Sequence, residues 1–157
     1  MGELIDDVAF DEVAGAANEP VWLTGDEVIR INQRLAEATG AQHRVTNPDL
    51  LADGVERPRR EWVEGGHHDV ADLAGLLLLE IGKASPFEQG NKQTALAAAN
   101  VFLEFNGYSL VAPDVEPLAQ LVDGAIAGTI PEASFLRAMR ASAIPTDEWR
   151  IYQGEQA

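Results

Sequence analysis

Cysteine is absent from all 157 residues. Without a thiol the chain has no disulfide, no thiolate nucleophile and no cysteine metal ligand, which fits a cytoplasmic setting. Positive charge is scarce as well: 11 Lys and Arg stand against 26 Asp and Glu, a formal net charge of −15. A surface of that sign works against direct nucleic-acid binding, because phosphate contacts need clustered Lys and Arg. Long apolar runs are missing. The longest, Leu76 to Leu79 with its flanks, falls far short of the roughly 20 residues that span a bilayer and reads as a buried helix, so no membrane partner is expected. No basic, apolar, small-residue leader is present, and no signal peptide is expected. Internal repeats, low-complexity tracts, sustained β alternation and hairpin signals are all lacking, which leaves a mainly α fold.

What is present suffices for a core: 46% of the residues are apolar, in a chain of single-domain length. Residues 1–20 form an acidic N-terminal tail, either a short docked helix or a flexible arm, in which Leu4, Ile5, Val8 and Phe10 partly fit one helix face. The domain proper spans residues 21–143, and residues 144–157 form a C-terminal tail in which Trp149, Ile151 and Tyr152 suggest partial packing. Thr24 and Glu27 make a capping box for a first helix reaching Gly40, with Val28, Ile31, Leu35 and Ala38 inward. Pro48, Gly54 and Pro58 punctuate Ala41 to Glu64, so that stretch reads as loop with a short helix near Pro48 to Asp53.

Asp69 caps a helix to about Lys83 that is buried on more than one side through Leu73, Leu76, Leu77 and Leu79. His67 and His68 before it read as polar loop residues, since adjacent side chains diverge and cannot share one tetrahedral ion. A further helix covers Asp114 to Ala127 and stops at Gly128. Thr129 caps a last helix with Pro131 at its first position and Phe135, Leu136 and Met139 inward; Pro145 ends regular structure.

The chain is organised around Ser85 to Asn106. Pro86 and Gly90 mark a tight loop, Ala95 to Ala99 are strong helix formers, and Asn106-Gly107 is a C-terminal stop. The loop delivers Gly90, Asn91 and Lys92 to a helix N-terminus, where free N–H groups and the positive dipole end can hold a phosphate. An ordinary helix start is the alternative for the same residues.

The run Ser85-Pro86-Phe87-Glu88-Gln89-Gly90-Asn91-Lys92-Gln93 resembles the signature of the Fic/Doc family, His-Pro-Phe-x-(Asp/Glu)-Gly-Asn-(Lys/Gly)-Arg. Similarity extends along nearly all of Val21 to Ala143, through Leu23 to Val28, Asn47 to Leu51, Arg57-Pro58-Arg59 and Phe102 to Tyr108. Lys92 in place of Gly points to the Doc, death-on-curing, branch. The resemblance implies a helical bundle around the motif helix with a small flap over the cleft. It also implies transfer of a phosphoryl or AMP group from a nucleotide, with ATP and Mg²⁺, to a protein hydroxyl, and control by a separate antitoxin. It assigns phosphate binding to Gly90, Asn91, Lys92 and Gln93, and places Arg57, Arg59, Arg60 and Trp62 at the flap, facing a ligand or partner. A solvated turn with one aromatic folded inward is the other reading of those four.

At three positions the chain departs from the pattern. The family's catalytic His is Ser85, its frequent metal-binding carboxylate is Gln89, and its phosphate-gripping Arg is Gln93. A hydroxyl cannot replace imidazole as a base near neutrality. An amide offers Mg²⁺ a carbonyl oxygen without charge, and Gln93 loses the bidentate charged fork. Three functions stay open: a Doc-like transferase impaired or inactive, a repurposed enzyme acting on a small molecule through the same cleft, and a toxin inactivated by an engineered Ser85. The family's self-restraining Ser/Thr-x-x-x-Glu-Gly/Asn helix is not found in the sequence.

Overall fold

The computed structural model describes residues 19–67, 69–111 and 115–148, residues 115 and 116 by backbone alone. Among these, six helices follow in order: α1 (Gly25–Thr39), α2 (Pro48–Glu64), α3 (Val70–Ala84), α4 (Asn91–Phe105), α5 (Val115–Ala127) and α6 (Glu132–Ser142). Two strands, β1 (Tyr108–Leu110) and β2 (Ala143–Pro145), pair antiparallel, with Tyr108 opposite Pro145 and Leu110 opposite Ala143. The fold is mainly α, as the sequence predicts. No described helix is long and apolar enough to cross a membrane. The acidic segment before residue 19, His68, and the C-terminal aromatics Trp149 and Tyr152 lie outside the described residues.

The ends of α1 follow sequence rules. The Glu27 backbone N–H donates to the Thr24 hydroxyl, the Glu27 carboxylate accepts from the Thr24 N–H, and Gly40 closes the helix at φ 77°. Its fully buried row is Val28, Asn32 and Ala36; of the other positions expected inward, Ile31 is half-buried against the core and Leu35 half-buried, while Ala38 is exposed. That row brings a polar side chain inward because the neighbouring loop offers it partners.

α2 corrects the sequence reading of a loop with a short helix, for it runs 17 residues with Pro58 inside. Proline in a helix interior costs about 3 kcal/mol through a lost hydrogen bond and a clash with the carbonyl four residues back. Packing offsets this cost. Leu51, Gly54 and Pro58 are all buried at helical spacing, and Gly54 brings α2 so close to α3 that a Cβ there would meet Glu80 Cβ at 3.3 Å.

α4 runs inside the bundle, burying Ala95, Ala98, Ala99, Phe102 and Leu103, while α3 beside it is buried almost throughout. Gly75 and Gly82, seven residues apart on α3, admit α6 and α5 respectively. A Cβ at Gly75 would stand 2.6 Å from Leu136 Cδ2, and one at Gly82 2.5 Å from Ile126 Cδ1. Phe135, Leu136 and Met139 point inward as the pattern of α6 predicts. Thr129 does not cap α6. Its backbone N–H and hydroxyl both donate to the Gly124 carbonyl, closing α5, and Pro131 itself stands at the N-cap. Three-residue strands are too short to leave a period-2 signal, which is why the ribbon is not visible in the sequence. Ile144 and Pro145 therefore belong to the ordered fold, and residues 146–148 are helical rather than irregular.

Candidate functional site

Ser85 closes α3 in the left-handed region, at φ 45° and ψ 58°, the only non-glycine with positive φ among the described residues. Its N–H reaches the Ile81 carbonyl, and its hydroxyl donates to the Gly82 carbonyl at 3.3 Å. From there Pro86 and Phe87 turn inward and are buried, while Glu88 and Gln89 are exposed. Gly90, at φ 78°, then caps α4. Asn91 locks the loop from inside the helix: its Oδ1 accepts from the Phe87 N–H at 2.9 Å and its Nδ2 donates to the Phe87 carbonyl at 2.8 Å. Both ends of this side chain are thus held by the Phe87 backbone, which fixes the loop against the first turn of α4.

The strip between α1 and α2 runs along the loop. Val45 bridges Phe87, the N–H groups of Thr46 and Asn47 point at the Pro86 carbonyl, and Glu88 N–H donates to the Arg44 carbonyl. This strip, residues 41–47, is the chain that overlies the motif loop. The four residues assigned to the flap lie instead on α2. Arg57 pairs with Glu80 at 2.7 Å, Glu132 at 3.2 Å and Glu61 at 3.7 Å, linking α2, α3 and α6. Burial works to lower its pKa, but the Glu80 hydrogen bond and the Glu132 and Glu80 charges outweigh that and hold it above its ordinary value. Arg59 faces Glu19 and Arg60 faces Asp53. Trp62 meets Trp22 edge-on at 6.1 Å, and Trp22 stacks on Phe102 at 5.9 Å.

Sequence reasoning missed the polar centre behind the loop. Asn32, 1% exposed, donates its two amide hydrogens to the Gln89 carbonyl and to Thr94 Oγ1, both at 2.9 Å, and its Oδ1 sits 2.7 Å from His43 Nδ1. Because the amide spends both hydrogens, Oδ1 is the acceptor and His43 Nδ1 carries the proton, which leaves Nε2 of the neutral ring as a lone-pair site. His43 also packs on Phe87. One side chain thus ties α1, the strip, the loop and α4 together. An asparagine between apolar neighbours at helical spacing was the available signal. Of the other two histidines, His68 lies outside the described residues and His67 lies between Glu61 and Asp72 at the far end of α3 from Ser85. Fifteen helical residues, about 22 Å, separate those ends, so His67 cannot reach the loop.

The first turn of α4 carries no acidic residue, and Gly90 gives it no side-chain cap, so its amides are open to an anion. Lys92 at that turn pairs with Asp123 of α5 at 2.8 Å. Gln93 is exposed. At position 89 the side-chain oxygen accepts from the Gln42 N–H at 3.1 Å and the backbone oxygen from Asn32, so neither is without a partner, and the amide brings Mg²⁺ no negative charge. Among the described residues no three His, Cys, Asp or Glu converge as a metal site. Two pockets flank Gln93. One, about 250 Å³, is lined by Asn32, Thr39, Gln89, Gly90 and Gln93 with Leu35, Ala36 and Ala41; the other, about 310 Å³, by Leu96, Ala97, Asn100, Leu110 and Leu118 with Gln93.

No curated protein matches the chain. The family model described as the Fic/DOC family matches residues 22–103, more than half of the sequence and the part that carries α1 to α4 with the loop between them, and the chain belongs to that family.

Proposed function

We propose that this chain is a Doc-like cytoplasmic protein of toxin–antitoxin type that holds a nucleotide phosphate at the α4 N-terminus but transfers phosphoryl or AMP groups to protein hydroxyls poorly or not at all. The observation that supports it is Ser85. At the position of the family's His stands a hydroxyl turned back on the Gly82 carbonyl, whose unperturbed pKa is far too high for a base at neutral pH. General-base help is worth about 10²–10⁴-fold, so its loss alone separates this chain from a working transferase. The uncapped first turn of α4 and the Lys92 ammonium remain for the anion, while position 93 contributes hydrogen bonds without charge. If the toxin logic persists, restraint comes from a separate antitoxin chain. Titration with ATP, AMP and inorganic phosphate tests the binding half: millimolar affinity that falls with Lys92→Ala is expected, and no binding at millimolar ligand refutes it.

A second reading, a repurposed fold acting on a small molecule through the same cleft, is favoured by the uncharged lining of the pocket between α1 and the loop.

A further inference from the structure

We infer that the 250 Å³ pocket between α1 and the motif loop binds the edge of a planar, uncharged amide or lactam, the hydrogen-bonding edge shared by nucleobases and primary carboxamides. In a chain of net charge −15, none of the eight residues lining this pocket carries a formal charge. Its polar groups are carboxamides and one hydroxyl. Thr39 spends its hydroxyl on the Leu35 carbonyl, and Asn32 is fully committed. Gln93 is not: neither half of its carboxamide has a hydrogen-bond partner among the described residues, and the Gln89 amide nitrogen is likewise unused. An open carboxamide presents one acceptor beside two donors in a plane, which matches a ligand's cis-amide edge through two parallel hydrogen bonds. The same geometry lets glutamine read the edge of adenine. Among the described residues no charged side chain lines the pocket to pair with a charged ligand, which would lose hydration on entering.

Size points the same way. Pockets for drug-sized ligands run about 300–1,000 Å³, so this one takes a base-sized ring system or a small amide. Leu35, Ala36 and Ala41 supply apolar surface for the face of such a ring. An arginine at position 93 would put a charged fork here; glutamine turns the same place into a neutral reader.

The pocket shares Gly90 and Gln93 with the phosphate reading, so the two are tested with separate probes. The full chain is examined by saturation-transfer NMR and titration with adenine, uracil and nicotinamide, with pyrazine as a flat, neutral control lacking the donor of that edge. Binding in the millimolar range is expected for at least one amide-edge probe and not for pyrazine. Gln93→Leu and Gln93→Glu should each weaken it about tenfold, the loss expected when a paired donor or acceptor is removed, with unchanged melting. Lys92→Ala, which does not touch the pocket, should leave it unaltered while reducing phosphate binding. The rank of adenine and uracil against nicotinamide separates a nucleobase from a simple carboxamide. No amide-edge probe binding at about 20 mM, equal binding of pyrazine, or binding by both Gln93 variants equal to that of the unmodified chain overturns the inference whatever phosphate does.

Discussion

The ammonium of Lys92 lies 2.8 Å from Oδ1 of Asp123, joining the first turn of α4 to α5. Lys92 is the only basic residue between Ser85 and Gln93, so the positive side chain that the motif itself offers an anion already has a carboxylate partner. Both groups are substantially solvated, 41% and 57% exposed, and such a pair adds at most about 1 kcal/mol to stability. Its weight falls on binding, because an arriving phosphate competes with Asp123 for the same ammonium. Asp123→Asn is expected to tighten phosphate and ATP binding about two- to fivefold at low salt, with little change in melting and a smaller gain at high salt. Unchanged affinity in the variant would mean that Lys92 does not serve the anion.

Asn32 holds four parts of the fold at one point, and its loss strands the His43 N–H, the Thr94 hydroxyl and the Gln89 carbonyl together. Asn32→Ala is expected to cost about 2–4 kcal/mol in urea unfolding, more than a surface asparagine. Nitrogen-15 NMR of neutral His43 should show Nδ1 protonated and Nε2 bare. The opposite tautomer would contradict the hydrogen-bond assignment.

A Cβ at Gly75 would stand 2.6 Å from Leu136 Cδ2 and 3.1 Å from Met139 Cγ, so both of these buried side chains must shift to admit it. Gly75→Ala is expected to destabilise by about 1–2 kcal/mol, since the overpacking penalty exceeds the helix-propensity gain of about 1 kcal/mol. A stabilised variant would show that α3 and α6 pack less tightly than described.

Local chemistry was legible in the sequence wherever it decided the structure by itself. Thr24 with Glu27, Asp69, Gly90 and Gly107 mark element ends through caps and left-handed positions, and each stands where its type predicts. Phe135, Leu136 and Met139 could be read from period alone. Where tertiary packing overrides a local preference, the sequence misleads: Pro58 argues against helix, yet the contact of Gly54 with α3 sustains α2 through it. The carboxylates that claim Arg57 come from α3 and α6, residues 80 and 132, a partnership no local pattern announces. The motif loop was recognisable by residue type. That Asn91 locks the loop, Asn32 and His43 back it, and Gln93 finds no partner among the described residues depends on which distant groups reach each amide.

The central claim is that position 85 withholds the base a transferase needs, with Gln93 weakening the grip on phosphate. Its most direct measurement is a radiolabelled-nucleotide assay against cell lysate, comparing the unmodified chain with Ser85→Ala, Ser85→His and Ser85→His combined with Gln93→Arg. The account predicts no labelling by the unmodified chain or by Ser85→Ala, and labelling by the restored variants, strongest in the double one. Labelling by the unmodified chain that Ser85→Ala abolishes would make Ser85 a catalytic residue and contradict it.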